Sequence, residues 1–211
     1  ERIPALARQK NPFAVLGFEH EKANRMGFLM PSLNWILNTP EGKNALQEVI
    51  RDGAAIRDEF GIGLFAGMGG SGLSVQVAKD TFSQPDSTPI FSLRTTDPSA
   101  IKDVLDEIMA ITDGDVQKAL EQLKIVVISK SGGTAETVAH LKYFLNMYAA
   151  FGMTPTRHVI VYTDPDSQMD WQKHVGKDFS GITDAAKRQQ RLEFQAFLED
   201  IKPEVRYIQL N

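Results

Sequence analysis

Hydrophobic positions fall into two kinds of segment that alternate along the chain. Short apolar runs bounded by glycine, proline or hydroxyl residues occur at Ile62 to Ala66, Pro89 to Leu93, Ile125 to Ile128, Val159 to Tyr162 and Val205 to Leu210. They are too short for helices and read as buried strands. Between them, apolar residues recur at helical spacing. Leu46, Val49, Ile50, Ile56 and Phe60 follow Thr39-Pro40, an N-cap with proline at the first helical position, and Gly61 stops that helix. A helix from Leu73 to Phe82 follows the first strand. Ile101, Val104, Leu105 and Ile108 make the stripe of the next helix, capped by Asp97 and opened by Pro98. Asp113 is expected to cap a further helix through Leu123. A long helix ends at Phe151 with Gly152 as its stop, and a helical stretch near 184–200 precedes the last strand.

The order is β-α-β-α-β-α-β-α-β. Continuous apolar strands between amphipathic helices predict a parallel sheet covered on both faces, so the expected fold class is α/β, a doubly wound five-stranded parallel sheet flanked by helices. Ligands of such sheets bind beyond the carboxyl ends of the strands. Residues 1–38 read differently, as an irregular or partly helical arm broken by Pro4, Pro12, Gly17, Gly27 and Pro31. The expected organisation is an arm over 1–38 and one domain over 39–211.

Composition narrows the function. The 211 residues carry 42% hydrophobic and 24% charged side chains, an ordinary globular balance that excludes a disordered or low-complexity chain. There is no cysteine, which excludes disulfides, a thiol nucleophile and a thiolate metal site, and fits a reducing compartment. No apolar run approaches the ~18 residues of a membrane helix, and Glu1-Arg2-Ile3-Pro4 opens no signal peptide. The absent initiator Met suggests a processed, trimmed or excised chain. Net charge is −4, without the basic footprint of a nucleic-acid binder. All of it lies in residues 61–175, which carry 9 basic and 13 acidic side chains. An anion bound there must be held by local donors.

Two strand ends carry the candidate chemistry. Gly67, Gly69 and Gly72 satisfy G-x-G-x-x-G between a strand and a helix, the spacing of a dinucleotide site. That reading also needs an acid at the end of the next strand. Phe91 to Thr95 offers none, Asp97 is better used as a cap, and Arg94 would have to meet a 2′-phosphate. The other reading is a tight turn that needs small residues. The second strand end, Ser129-Lys130-Ser131-Gly132-Gly133-Thr134-Ala135-Glu136-Thr137, sets hydroxyls and two glycines at a helix N-terminus. Backbone N–H groups, the helix dipole and hydroxyl donors together can hold a phosphate without arginines. It is not a Walker loop, since Lys130 precedes the glycines. The alternative is a Ser/Thr-capped helix start.

Gly69-Gly70-Ser71-Gly72 with Ser129 to Thr137 resembles the sugar isomerase (SIS) domain family, and most of all the amino-terminal SIS domain of the glucose-6-phosphate isomerase family. Thr96-Asp97-Pro98 and Thr163-Asp164-Pro165 are similar to strand ends of its bacterial members. The resemblance covers roughly residues 40–175. It implies an aldose–ketose isomerase of glycolysis and gluconeogenesis that is cytoplasmic, needs no cofactor and works as a homodimer or with a second SIS domain. Gly70 and Ser71 would contact the sugar. Ser129, Lys130, Ser131, Gly132, Gly133 and Thr134 would hold the 6-phosphate, with the role of the Lys130 side chain open. Glu136 falls at a position facing the active site in the family, or is simply a carboxylate in a first helical turn. The family's Gly-Gly-Arg motif is absent. Its general base is a glutamate of a second SIS domain and its ring-opening histidine comes from a neighbouring subunit. A glycine pair at 132 and 133 departs from the family and would loosen the loop or change sugar preference. A non-catalytic sugar-phosphate sensor on the same domain is the alternative. His20, His140, His158 and His174 show no metal-ligand spacing and read as structural, and Trp35 and Trp171 as packing anchors.

Overall fold

The computed structural model describes residues 29–165 and 167–207. His20 and most of the expected arm lie outside them. The chain divides into two compact units, which meet in sequence within one helix. In the first, helix α1 (Leu29–Asn38) is followed by α2 (Pro40–Ala55), whose residues through Gly53 belong to this unit. Pro31 falls in the first turn of α1, where a missing N–H costs nothing, so it does not break the helix. Thr39 caps α2 as its sequence requires: its hydroxyl accepts from the Gly42 N–H at 3.0 Å and donates to the Trp35 carbonyl at 2.7 Å. A Cβ on Gly42 would stand 2.0 Å from that carbonyl, so the corner admits only glycine. The division after Gly53 lies beyond the boundary expected between residues 38 and 39.

The second unit is the sheet domain. The α2 stripe continues past Ala55 as a π-helical turn, Ile56–Phe60, and ends at Gly61 with φ +94°. Strands β1 (Ile62–Gly67), β2 (Ile90–Leu93), β3 (Leu123–Ile128), β4 (Val159–Thr163) and β5 (Glu204–Tyr207) form one parallel sheet in the order β2-β1-β3-β4-β5. Helices α3 (Gly70–Phe82), α4 (Pro98–Ile111), α5 (Val116–Gln122), α6 (Ala135–Ala150), α7 (Trp171–His174) and α8 (Ala185–Ile201) connect them. The expected α/β fold, a doubly wound five-stranded parallel sheet flanked by helices, is the observed one.

Side-chain alternation builds the core. Ile62, Leu64, Ile125, Val127, Val159 and Val161 point to one face, where Ile108, Leu120, Leu141, Phe144, Tyr148, Phe194 and Leu198 cover them. The opposite face holds a smaller cluster of Ile56, Val126 and Ile160. Two buried imidazoles serve this packing. The Nε2–H of His140 donates to the Thr95 carbonyl at 2.8 Å, and the Nδ1–H of His158 to that of Leu123 at 3.0 Å. Burial pushes both pKa values below the usual histidine range. Trp171 is half-buried, its indole N–H on the Pro203 carbonyl at 3.0 Å.

Asp97 and Asp184 cap α4 and α8 through the N–H groups of Ser99 and Lys187. The cap of α5 is Asp115, bound to the Lys118 N–H at 3.0 Å, not Asp113. Asp113 and Gly114 both take positive φ in the turn before it, and Leu123 is already the first residue of β3. Helix α3 starts at Gly70, three residues earlier than its apolar pattern indicates. β5 begins at Glu204; the expected residues 208–210 lie outside the described segment.

Candidate functional site

β1 and β3 are neighbours in register, with Gly67 opposite Ile128 at their carboxyl ends. From β1 the chain departs toward β2 on one side, and from β3 toward β4 on the other. The two glycine and hydroxyl loops singled out in the sequence therefore leave the sheet side by side at its topological switch point, where a crevice must open. A cavity of about 400 Å3 lies there, lined by Met68, Ser71, Ile128, Ser129, Lys130, Ser131, Thr134, Thr137 and Asp164.

The first loop is shaped by close approach. A Cβ on Gly72 would meet the Gly67 carbonyl at 2.2 Å and the Arg94 stem at 2.5 Å, so α3 packs onto the end of β1 only with glycine there. Gly69 has φ +56° and ψ −127°, a conformation for glycine alone. These are steric reasons for the G-x-G-x-x-G spacing. The carboxylate that a ribose would need is committed elsewhere, since Asp97 accepts from both the N–H and the hydroxyl of Ser99.

The second loop is held from behind by β4 and the segment after it. The Thr163 hydroxyl donates to the Ser129 carbonyl at 2.6 Å, the Asp164 N–H to that of Lys130 at 3.1 Å, and the Gln168 N–H to that of Ser131 at 3.2 Å. The Ser167 hydroxyl lies 2.6 Å from Thr163 Oγ1 and accepts from the Met169 N–H at 3.2 Å. Three consecutive carbonyls are thus satisfied by donors from outside the loop. Gly132, with φ +67°, fits beneath this lattice: a Cβ would stand 2.6 Å from the Met169 nitrogen and 2.9 Å from that of Gln168. The glycine pair therefore does not loosen the loop at position 132; it lets the β4 loop close on it. The Ser131 hydroxyl accepts from the Gly133 N–H at 3.3 Å and is itself exposed. Thr134 stands at the N-cap of α6, but its hydroxyl makes no capping bond, contrary to the capped-helix-start reading.

Polar atoms without partners converge on this cavity. Ser129 is 3% exposed and Thr137 1% exposed, and neither hydroxyl oxygen has a hydrogen-bond partner in the structure; Asp164 Oδ1 is likewise buried and unpartnered. Buried polar groups are ordinarily satisfied, and each orphan calls for a reason. With the exposed Lys130 and the N-terminal turn of α6, they make a donor-rich pocket with one carboxylate.

Of the sequence-predicted site residues, Ser71, Ser129, Lys130, Ser131 and Thr134 line the cavity. Gly70, Gly132 and Gly133 belong to the same loops without lining it. Glu136 is half-buried in the first turn of α6, outside the cavity lining, and its charge acts on His140 one turn on. The sequence reading missed Met68, Ile128, Thr137 and Asp164. Asp164 directly follows the strand beside β3, and that adjacency is a property of the fold rather than of any local sequence signal. Among the described residues, no group of three His, Asp or Glu could hold a metal ion, and no helix is long and apolar enough to cross a membrane.

No family model matches the chain. Part of it is related to glucose-6-phosphate isomerases. That of Geobacter sp. (strain M21) is 32% identical over 118 residues, 54% of this chain and 21% of that protein. Those of Citrifermentans bemidjiense and Chlamydia trachomatis serovar A are 34% and 32% identical over 108 and 116 residues, 51% and 54% of this chain. The chain spans about a fifth of the length of these curated relatives. A crystal structure of a glucose-6-phosphate isomerase from Chlamydia trachomatis superposes on 61% of this chain and 23% of its own, with a TM-score of 0.52 and 30% identity. A hypothetical protein from Thermus thermophilus shares the fold over 98% of this chain and 39% of its own, with a TM-score of 0.56 at 22% identity.

Proposed function

We propose that the cavity between the β1 and β3 loops binds a sugar phosphate, and that the chain is the sugar-phosphate-binding part of a glucose-6-phosphate isomerase, an enzyme that interconverts glucose 6-phosphate and fructose 6-phosphate. The observation that carries this reading is the convergence of Ser129 Oγ, Thr137 Oγ1 and the α6 N-terminus on one cavity without partners. The phosphate sits against the N–H groups of about residues 131–134 and the hydroxyls of Ser129, Ser131 and Thr134, with Lys130 as a nearby cation. The sugar extends toward Gly70 and Ser71. Asp164 accepts a hydrogen bond from a sugar hydroxyl through its unpartnered Oδ1.

Isomerisation moves a proton between C1 and C2 through an enediolate, which requires a base near neutral pKa and donors for the developing oxyanion. Glu136 lies outside the cavity lining, and Asp164 is placed by its own N–H on the loop that holds the phosphate. The resemblance puts the base in a second domain, and the Gly-Gly-Arg motif is absent here, so the base is expected outside these residues. The 211-residue chain is expected to bind fructose 6-phosphate in calorimetry but to give no turnover above blank in a coupled assay. Ser131→Ala and Thr134→Ala should each weaken binding by about 1–3 kcal/mol. Parent-like affinity in both variants would reduce the loop to a helix start. Appreciable turnover would place the base within the chain, with Asp164 and Glu136 the first suspects.

A further inference from the structure

The Ser131–Thr134 loop borders two cavities. Ser131 and Thr134 line the first, and Gly133 lines a second, a groove of about 580 Å3 between α6 and α8. Val138, Ile182 and Phe194 give this groove apolar walls, while Lys142 of α6 and Lys187 and Arg191 of α8 bring three cations. Lys187 and Arg191 are four residues apart and share a helix face. No Asp or Glu is among the lining residues, and none of the three cations has an ion-pair partner among the described residues. In a chain of net charge −4 this is a local reversal of sign.

Arg191 makes the case sharper. It is half-buried, its Nη1 donates to the main-chain and side-chain oxygens of Gln168 at 3.1 and 3.2 Å, and its guanidinium lies 5.3 Å from the Phe179 ring centroid. Burial pushes its pKa down, and only neutral acceptors meet it. A partly desolvated cation without a counter-charge is costly, and an anion in the groove would offset that cost. Lys142 Nζ is held 5.8 and 5.7 Å from the ring centroids of Phe194 and Phe197, on the apolar side of the same groove.

We infer that this groove is a second ligand site, which takes a nucleoside polyphosphate. Three cations match more than one phosphate group. The half-buried Val138 and Ile182, beside the buried Phe194, offer a base an apolar wall, where a bare sugar would ask for hydroxyl partners. The site communicates with the first cavity through one residue: Gln168 binds Arg191 with its oxygens and the Ser131 carbonyl with its N–H. A ligand that repositions Arg191 therefore acts on the loop of the first cavity, and linkage makes the effect reciprocal.

The test is calorimetry on the full 211-residue chain with ADP, tripolyphosphate and inorganic phosphate, each with and without saturating fructose 6-phosphate. The expected result is one ADP per chain, bound at least tenfold more tightly than inorganic phosphate or tripolyphosphate and not displaced by fructose 6-phosphate. Lys142→Ala and Lys187→Ala, both at exposed positions, should each weaken ADP at least fivefold while leaving the chain folded by circular dichroism. The inference is overturned if millimolar ADP gives no heat, if fructose 6-phosphate displaces ADP one for one, if tripolyphosphate binds as well as ADP, or if both lysine variants bind ADP as the parent does.

Discussion

Gly132 and Gly152 have nearly the same positive φ, +67° and +65°, in quite different surroundings. A Cβ at Gly152 would meet nothing within 4 Å, whereas at Gly132 it would press on the Met169 and Gln168 backbone nitrogens at 2.6 and 2.9 Å. Gly152→Ala should therefore cost only the left-handed penalty of an L-residue, about 1–2 kcal/mol. Gly132→Ala bears the same penalty plus an overpacking cost of about 1–3 kcal/mol, because the obstructing atoms are backbone and cannot rotate away. Its total of roughly 2–5 kcal/mol should lower the midpoint of thermal unfolding by at least ~4 °C in a domain of this size. The relief of that clash must come from the 167–169 segment moving off the loop, which lengthens the Gln168 to Ser131 hydrogen bond. Fructose 6-phosphate binding should then weaken in Gly132→Ala and stay unchanged in Gly152→Ala. Urea unfolding followed by tryptophan fluorescence, with calorimetry on both variants, makes the comparison. Equal destabilisation by the two substitutions, or parent-like binding in Gly132→Ala, would refute the argument that the β4 loop fixes the shape of the site.

Three further outcomes follow from other parts of the structure. Thr163→Val keeps the side chain's shape but leaves the buried Ser129 carbonyl without its hydroxyl donor, so urea unfolding should show a loss of about 1–3 kcal/mol. His140 and His158 have folded-state pKa values below the ordinary 6.5, so on acidification the unfolded chain takes up protons first. Their stabilising contribution is complete above about pH 6.5 and is lost as pH falls toward the depressed folded values. Unfolding free energies between about pH 7 and 5 should show that decline, and it should flatten in a His140→Gln, His158→Asn double variant. Neither NAD nor NADP should displace fructose 6-phosphate from the first cavity, because the acid nearest the end of β2 is the α4 cap; displacement at micromolar concentration would restore the dinucleotide reading of Gly67 to Gly72.

Much of the frame was readable from the sequence because its signals are local. Apolar runs of strand length, the Asp97-Pro98 opening and the Thr39 cap each declare themselves within a few residues. Asp113 and Asp115 are two acids within one turn, and only the backbone path through Gly114 decides which of them caps. The strand order is not a local property, so periodicity predicted the strands without saying that β1 and β3 adjoin. The cavity inherits that limit. The hydroxyls of the β3 loop could be singled out from their spacing, but Asp164 enters the site only because β4 lies beside β3. The cations of the second groove sit on two helices far apart in sequence, and nothing in either helix alone announces them.

The carbonyls of Ser129, Lys130 and Ser131 are tied off by Thr163, Asp164 and Gln168, and this bears on protein engineering. A loop excised as Ser129 to Thr137 and grafted onto another α/β sheet would carry the motif without its mould. The transplantable unit is the loop together with β4 and the turn through Met169. Within that unit, the side chains of Ser129, Lys130 and Thr134 can be exchanged to retune the ligand, since none of the bonds that set the backbone belongs to them.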